Sequence, residues 1–194
     1  SHAQKGSYYS VCIAEGRSIM QRSSLVSSRI RRNLKGSRSI ATVDKNLIKK
    51  MVRKCIRLLN KKEYELDLPK DATDIALHRL SIVDKNRSGA TYAGKNIIQI
   101  NLSYWQHCKG YPHYEREYKS YDEDPTIGGV TVNSLEEALW VTVAHEVSHH
   151  IQHRYCPSVR RFRNTHSKPH GDCFKAIYRY LRRDLVNPIL KGEA

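Results

Sequence analysis

The sequence predicts an α+β domain in which helices pack with a small, mostly antiparallel sheet. Three observations predict it. Apolar residues recur at helical spacing in residues 44–62. Short apolar runs punctuated by turn residues fill 75–102. A nearly all-apolar helix over 134–153 is followed by an amphipathic one that opens at 169–174. At 194 residues the chain is long enough to bury a core in one domain that carries an extension.

The extension is basic. The formal charge is +15, and residues 1–62 carry 16 Lys and Arg against Glu15 and Asp44 alone. The remaining residues are nearly balanced, with 18 against 17. Such an excess calls for a polyanionic partner, most simply nucleic acid, with an anionic membrane surface as the weaker alternative. No apolar run approaches the eighteen or so residues that span a bilayer. Residues 1–43 are Ser- and Arg-rich, and Arg29, Arg31 and Arg32 are candidate phosphate contacts; the plainer reading is a solvated tail. Their composition is also similar to that of an organelle transit peptide. Two regions follow: an arm over 1–43 and a folded domain over 44–194. Five scattered cysteines (Cys12, Cys55, Cys108, Cys156 and Cys173), odd in number and without C-x-x-C, fit neither a disulfide framework nor a zinc ribbon, and suit a reducing, intracellular compartment.

In the first helix Leu47, Ile48, Met51, Val52, Cys55, Leu58 and Leu59 face a core, while Lys49, Lys50 and Arg53 lie on a cationic face continuous with the arm. Pro69-Lys70-Asp71 breaks the chain. Residues 75–83 read as a strand, 84–89 as a turn, 90–93 as a short strand, 94–96 as a second turn and 97–102 as the next strand, together an antiparallel meander. His78 stands alone there and reads as packed or surface rather than as a ligand. Residues 110–125 interleave Tyr111, Tyr114, Tyr118 and Tyr121 with acidic residues between two prolines, which suits an excursion over the surface, as a loop or a flap.

The next helix opens on Ser134-Leu135-Glu136-Glu137, a capping box, and is apolar almost all round. Inside it stands His145-Glu146-Val147-Ser148-His149, an H-E-x-x-H pattern. Histidines four apart stack on one helical face and converge on a metal, and the glutamate lies close enough to take a proton from a metal-bound water. Chance alone yields this pattern in about one chain in forty of this composition. The buried, capped helix decides in its favour, because two His and a Glu without a partner there are costly. A catalytic zinc needs a third ligand and an open position. His166, His170 and Asp172 are the candidates downstream, with His170 first by spacing and His166 second. His150 points away from His149, and His153 extends the same face toward the helix end. The closing helix has a Phe174, Ile177, Leu181 and Leu185 stripe. Around it Arg160, Arg161, Arg163, Arg182 and Arg183 are candidate nucleic-acid contacts.

The strand Ile98-Gln99-Ile100-Asn101, the buried helix with His145-Glu146-x-x-His149, and His170-Gly171-x-x-Phe174 together resemble the SprT-like zincins, the family of the Spartan proteases, over roughly residues 44–185. The resemblance implies a zincin-like fold and one Zn2+ per chain held by His145, His149 and His170, with Glu146 as catalytic base. It further implies DNA-dependent cleavage of DNA-bound or DNA-crosslinked proteins, on DNA that is single-stranded or partly so, and a DNA-associated location in cytoplasm, nucleoid or nucleus. Two features depart from the family: there is no four-cysteine ribbon, and there is a basic arm. Two other functions compete: a DNA-binding protein whose zinc is structural, and a processing peptidase indifferent to DNA. Retention of Glu146 weighs against the first, and the charge of residues 1–62 against the second.

Overall fold

The computed structural model describes residues 45–83, 97–101, 110–115, 117–118, 121–164 and 167–193. The arm with Arg29, Arg31 and Arg32, the expected turns and short strand within 84–96, and His166 lie outside the described residues.

Helix α1 (Lys45–Leu59) forms as its periodicity predicts. Ile48, Met51, Val52, Cys55, Ile56 and Leu59 are fully buried, and Lys49, Lys50 and Arg53 are exposed. The segment read as one strand over 75–83 is divided. Ala72–His78 is helix α2, and only Leu80–Val83 is strand β1. A short apolar run has no decisive period; here Ala72 and Ala76, one helical turn apart, bury against the core, and the β-branched pair Ile82-Val83 takes the strand.

The antiparallel meander is also corrected. Strand β2 (Ile98–Asn101) pairs parallel to β1, Leu80 opposite Ile98 and Val83 opposite Asn101. A parallel pair cannot be closed by a tight hairpin and needs a crossover. Strands β3 (His113–Glu115) and β4 (Val130–Val132) make a separate antiparallel pair. The α+β class holds, but the described strands are one parallel and one antiparallel pair rather than a mostly antiparallel sheet. Residues 110–125 likewise do not merely skirt the surface: β3 lies within them, and Tyr121 is fully buried. Their acidic residues obscured this, because Glu117 and Asp124 are neutralised by arginines distant in sequence.

Helix α3 (Leu135–Arg154) is the centre, packing against α1, β2 and helix α4 (Asp172–Leu181). Ala138, Leu139, Val143, Ala144, Val147 and Ile151 are wholly buried. Ser134 caps it by accepting the Glu137 N–H at 3.1 Å. Glu137 reaches back one residue further than a standard box requires and accepts the Asn133 N–H at 2.7 Å. Beyond α4 the chain widens into a π turn (Arg182–Val186) before α5 (Asn187–Leu190). Pro188 has no N–H to return to Asp184, and in a regular helix its ring would collide with that carbonyl, so a wider turn accommodates it. Among the described residues no helix is long and apolar enough to cross a membrane.

The Ser134 cap satisfies a first-turn amide of the central helix. Ser134→Ala is expected to lower stability by about 1 kcal/mol, read as a shift in the urea unfolding midpoint without change of slope.

Candidate metal centre

Helix α3 brings His145 and His149 to one face, and the turn before α4 supplies His170. The His170 Nε2 atom lies 2.8 Å from His149 Nε2 and 3.3 Å from His145 Nε2, and the three ligand atoms fall within 4.8 Å of one another. Two nitrogens on a tetrahedral zinc, each about 2.0–2.1 Å from it, are separated by about 3.3 Å, so the His170–His145 spacing matches such an ion and the His170–His149 spacing is shorter. Three residues of this chain therefore can hold a metal ion. Asp172, the other candidate, is exposed at the start of α4 and does not join them.

The turn is fixed by local chemistry. His170 adopts a left-handed backbone, with φ of 54°, unusual for a side chain other than glycine. At Gly171 a Cβ would come within 2.9 Å of Lys168 Cβ and 3.1 Å of its carbonyl oxygen. That carbonyl accepts a 2.8 Å bond from Gln152 Nε2 of α3, so the ligand-bearing turn is tied to the helix that bears the other two ligands. Gly171 permits the close approach, and only a residue without a side chain fits there.

Burial and the charge of neighbouring histidines hold His149 well below the ordinary imidazole pKa, and His170 down to about 3. Both thus present neutral nitrogens, the form a metal takes. His145 behaves otherwise. Burial pulls its pKa down, but the Glu117 carboxylate, with Oε2 at 3.6 Å from Nδ1, outweighs this and raises it. Glu146 is buried beside it, with Oε2 lacking a hydrogen-bond partner among the described residues. Burial raises its carboxyl to about 7, opposed by His145 and assisted by Glu117. A carboxylate poised near neutrality is suited to general-base work.

Glu117 escaped the sequence reading. It sat in an acidic, tyrosine-rich stretch where neither spacing nor period marks one carboxylate over another. In the structure its Oε1 accepts a 2.5 Å bond from Tyr178 Oη and lies 3.6 Å from Arg182 Nη1. Burial opposes its charge, yet His145, Tyr178 and Arg182 together hold its pKa below the ordinary carboxylate value. Burial and Glu117 push the Tyr178 phenol well above its usual range, so it remains a donor. Tyr118 was missed as well: its ring lies over His170 at 3.9 Å between centroids and 5.9 Å from His145. The adjoining cleft, about 550 Å³, is lined by Glu117, Asp122, Asp124 and the Gly128-Gly129 turn, not by the three histidines.

Arg182 is not a nucleic-acid contact. It is 2% exposed, and its guanidinium donates to Asn187 Oδ1 at 2.9 Å, Tyr178 Oη at 3.0 Å and the Gly128 carbonyl at 3.3 Å. Its charge serves Glu117 inside the fold. Arg161 is exposed but engaged, donating to the Tyr64 carbonyl at 2.7 Å, and Arg183 is held by both oxygens of Asp184. Arg160, Arg163, Lys49, Lys50 and Arg53 are exposed. His150 is wholly buried with neither ring nitrogen hydrogen-bonded among the described residues, and His153 is half-buried with its ring 6.2 Å from that of His149.

Glu146 gives a signed dependence on pH in metal-stripped protein. Its folded pKa of about 7 exceeds its ordinary 4.5, so its contribution to stability is present below 4.5 and is lost as pH rises through 7. Glu146→Gln is therefore expected to be more stable than wild type at pH 8, by roughly 3 kcal/mol at most, with the gap closing toward pH 4.5; paired urea titrations read it.

Comparison with protein-family models, with curated proteins and with solved structures finds no match for this chain.

Proposed function

We propose that this chain is a zinc-dependent endopeptidase of the SprT-like, Spartan-type kind, acting on proteins associated with or crosslinked to DNA inside the cell. The observation that carries the proposal is the convergence of the His145, His149 and His170 Nε2 atoms beside a buried Glu146 oxygen that has no hydrogen-bond partner among the described residues. A structural site is closed by its ligands and has no need of a base, whereas a hydrolytic one requires both an open position and a proton acceptor.

The three histidines would hold one zinc ion per chain. Bound there, zinc lowers the pKa of a coordinated water and polarises a substrate carbonyl. Glu146 accepts the proton of the attacking water and delivers it to the departing amine. Burial favours the proton-holding form between those two transfers. His170, fixed by its turn, closes the ligand set against the rigid helix.

The DNA partner rests on charge. The exposed face of α1 carries Lys49, Lys50 and Arg53, and its fifteen residues include no acidic side chain. Cations spaced three and four apart on a helix repel one another, and a row of phosphates relieves that repulsion. Exposed Arg160 and Arg163 follow α3 in the sequence and add to the exposed cations. Protein bound to the same strand would then lie within reach of Glu146.

The decisive experiment digests a DNA-bound protein with and without added single-stranded DNA, comparing wild type with Glu146→Gln at several salt concentrations. The expected outcome is one zinc per wild-type chain, cleavage that depends on DNA and weakens steeply with salt, and a loss of about 10²–10⁴-fold in Glu146→Gln. Equal behaviour of the two proteins with DNA binding intact would make this a binding protein with a structural metal. Cleavage indifferent to DNA and salt would make it a peptidase of another kind.

A further inference from the structure

We infer that Glu117 is the positioning residue of the metal site, fixing His145 for coordination through its Nδ1 edge, and that Tyr178 and Arg182 exist to hold Glu117 in that place. The inference rests on the proposed metal site but not on proteolysis or on DNA.

The division of labour between the two carboxylate oxygens is the first argument. Oε1 takes the Tyr178 hydroxyl at 2.5 Å and faces Arg182 Nη1 at 3.6 Å. Oε2 is left for His145 Nδ1, also at 3.6 Å. One oxygen is anchored and the other is presented. An acceptor on that side of the ring favours the tautomer with its hydrogen on Nδ1, leaving the Nε2 lone pair directed at His170 Nε2, 3.3 Å away. The 3.6 Å separation is longer than a formed hydrogen bond, and the carboxylate faces the Nδ1–H dipole. A metal held at Nε2 would make Nδ1–H a stronger donor toward Glu117.

The second argument is cost. A carboxylate with an 8% exposed side chain is expensive to bury unless something is gained by its charge. If Glu117 served only to join its segment to α4, the Tyr178 hydroxyl could meet a neutral acceptor and Arg182 would be unnecessary. Instead Arg182, itself 2% exposed, is held by the Asn187 side chain and the Gly128 carbonyl so that a counter-charge stands behind Glu117. Arg182 donates to Tyr178, Tyr178 donates to Glu117, and Glu117 faces the metal ligand. The three run in one line from the C-terminal π turn to His145.

The test measures zinc affinity by chelator competition in purified full-length protein, with wild type, Glu117→Gln, Glu117→Ala and Tyr178→Phe. The metal-stripped forms are compared by thermal unfolding. Loss of an outer partner of a ligating histidine typically weakens metal binding by about 10–100-fold. That loss is expected for Glu117→Ala. Glu117→Gln, which keeps an acceptor without the charge, should lose less, and Tyr178→Phe, whose ring still packs, should lose less again in the same direction. The cobalt-substituted variants should show an altered visible spectrum, which a purely structural contact would leave unchanged. Should Glu117→Ala fail to fold, the Gln and Phe variants decide. Unchanged zinc affinity in variants that fold overturns the positioning role. Wild type that binds no zinc overturns the metal site itself, a separable result.

Discussion

Two opposite charges buried within one fold, Glu117 and Arg182, tie together elements of the described structure that lie far apart in sequence. Neither is tolerable alone: removing one partner of such a pair typically costs about 3–5 kcal/mol, because the other is left uncompensated. Their compensation is shared among elements far apart in sequence. Arg182 needs the Gly128 carbonyl and Asn187, Asn187 in turn donates to the Thr126 carbonyl, and Tyr178 bridges the two charges. Satisfying these groups fixes where the 121–128 segment, α4 and the π turn sit against α3. Arg179 repeats the theme at the surface by clasping Asp124 with two nitrogens.

The same reasoning explains why a helix with so little polar surface carries so many polar residues. Ser148 turns its hydroxyl back to the Ala144 carbonyl at 2.7 Å, and Gln152 holds the Lys168 carbonyl. What these local bonds leave includes one oxygen of Glu146 and both ring nitrogens of His150, which have no hydrogen-bond partner among the described residues, while the Nε2 edges of His145, His149 and His170 face one another. A shared cation would satisfy the three facing histidine nitrogens, and a water beside it the Glu146 oxygen. The histidine cluster is thus coherent with its surroundings as a ligand set, and poorly coherent as a piece of hydrophobic core.

What the sequence made legible follows from range. The face of α1, the Ser134 cap and the stacked pair His145 and His149 are set by residues within a turn or two of one another, and periodicity reports them directly. His170 was readable because a glycine and a new helix follow it at once. The strand over 75–83 failed because a short apolar run is compatible with either period, and packing of Ala72 and Ala76 decided it. The parallel register of β1 and β2 depends on a crossover whose path has no local signature. Arg182 was assigned to a phosphate because it stands among cations, and nothing nearby reveals a carboxylate 65 positions earlier. The role of Glu117 was invisible for the same reason, seen from the other end.

The span of these contacts also sets an order in time. Tyr64 donates to Asp184 across 120 positions, Tyr178 to Glu117 across 61, and Arg182 to Gly128 across 54. Closing loops so long costs more chain entropy than closing a helical turn, and their far ends are also the last to be synthesised. A chain still being synthesised therefore presents its cationic first third, and even the completed α3, before residues 178–187 exist to brace Glu117. The surface proposed to meet polyanions is made first, and the histidine cluster gains its support from Glu117 only when the far end of the fold arrives. A nascent chain, or one truncated before residue 178, would carry the cationic surface and the three histidines without the brace on Glu117.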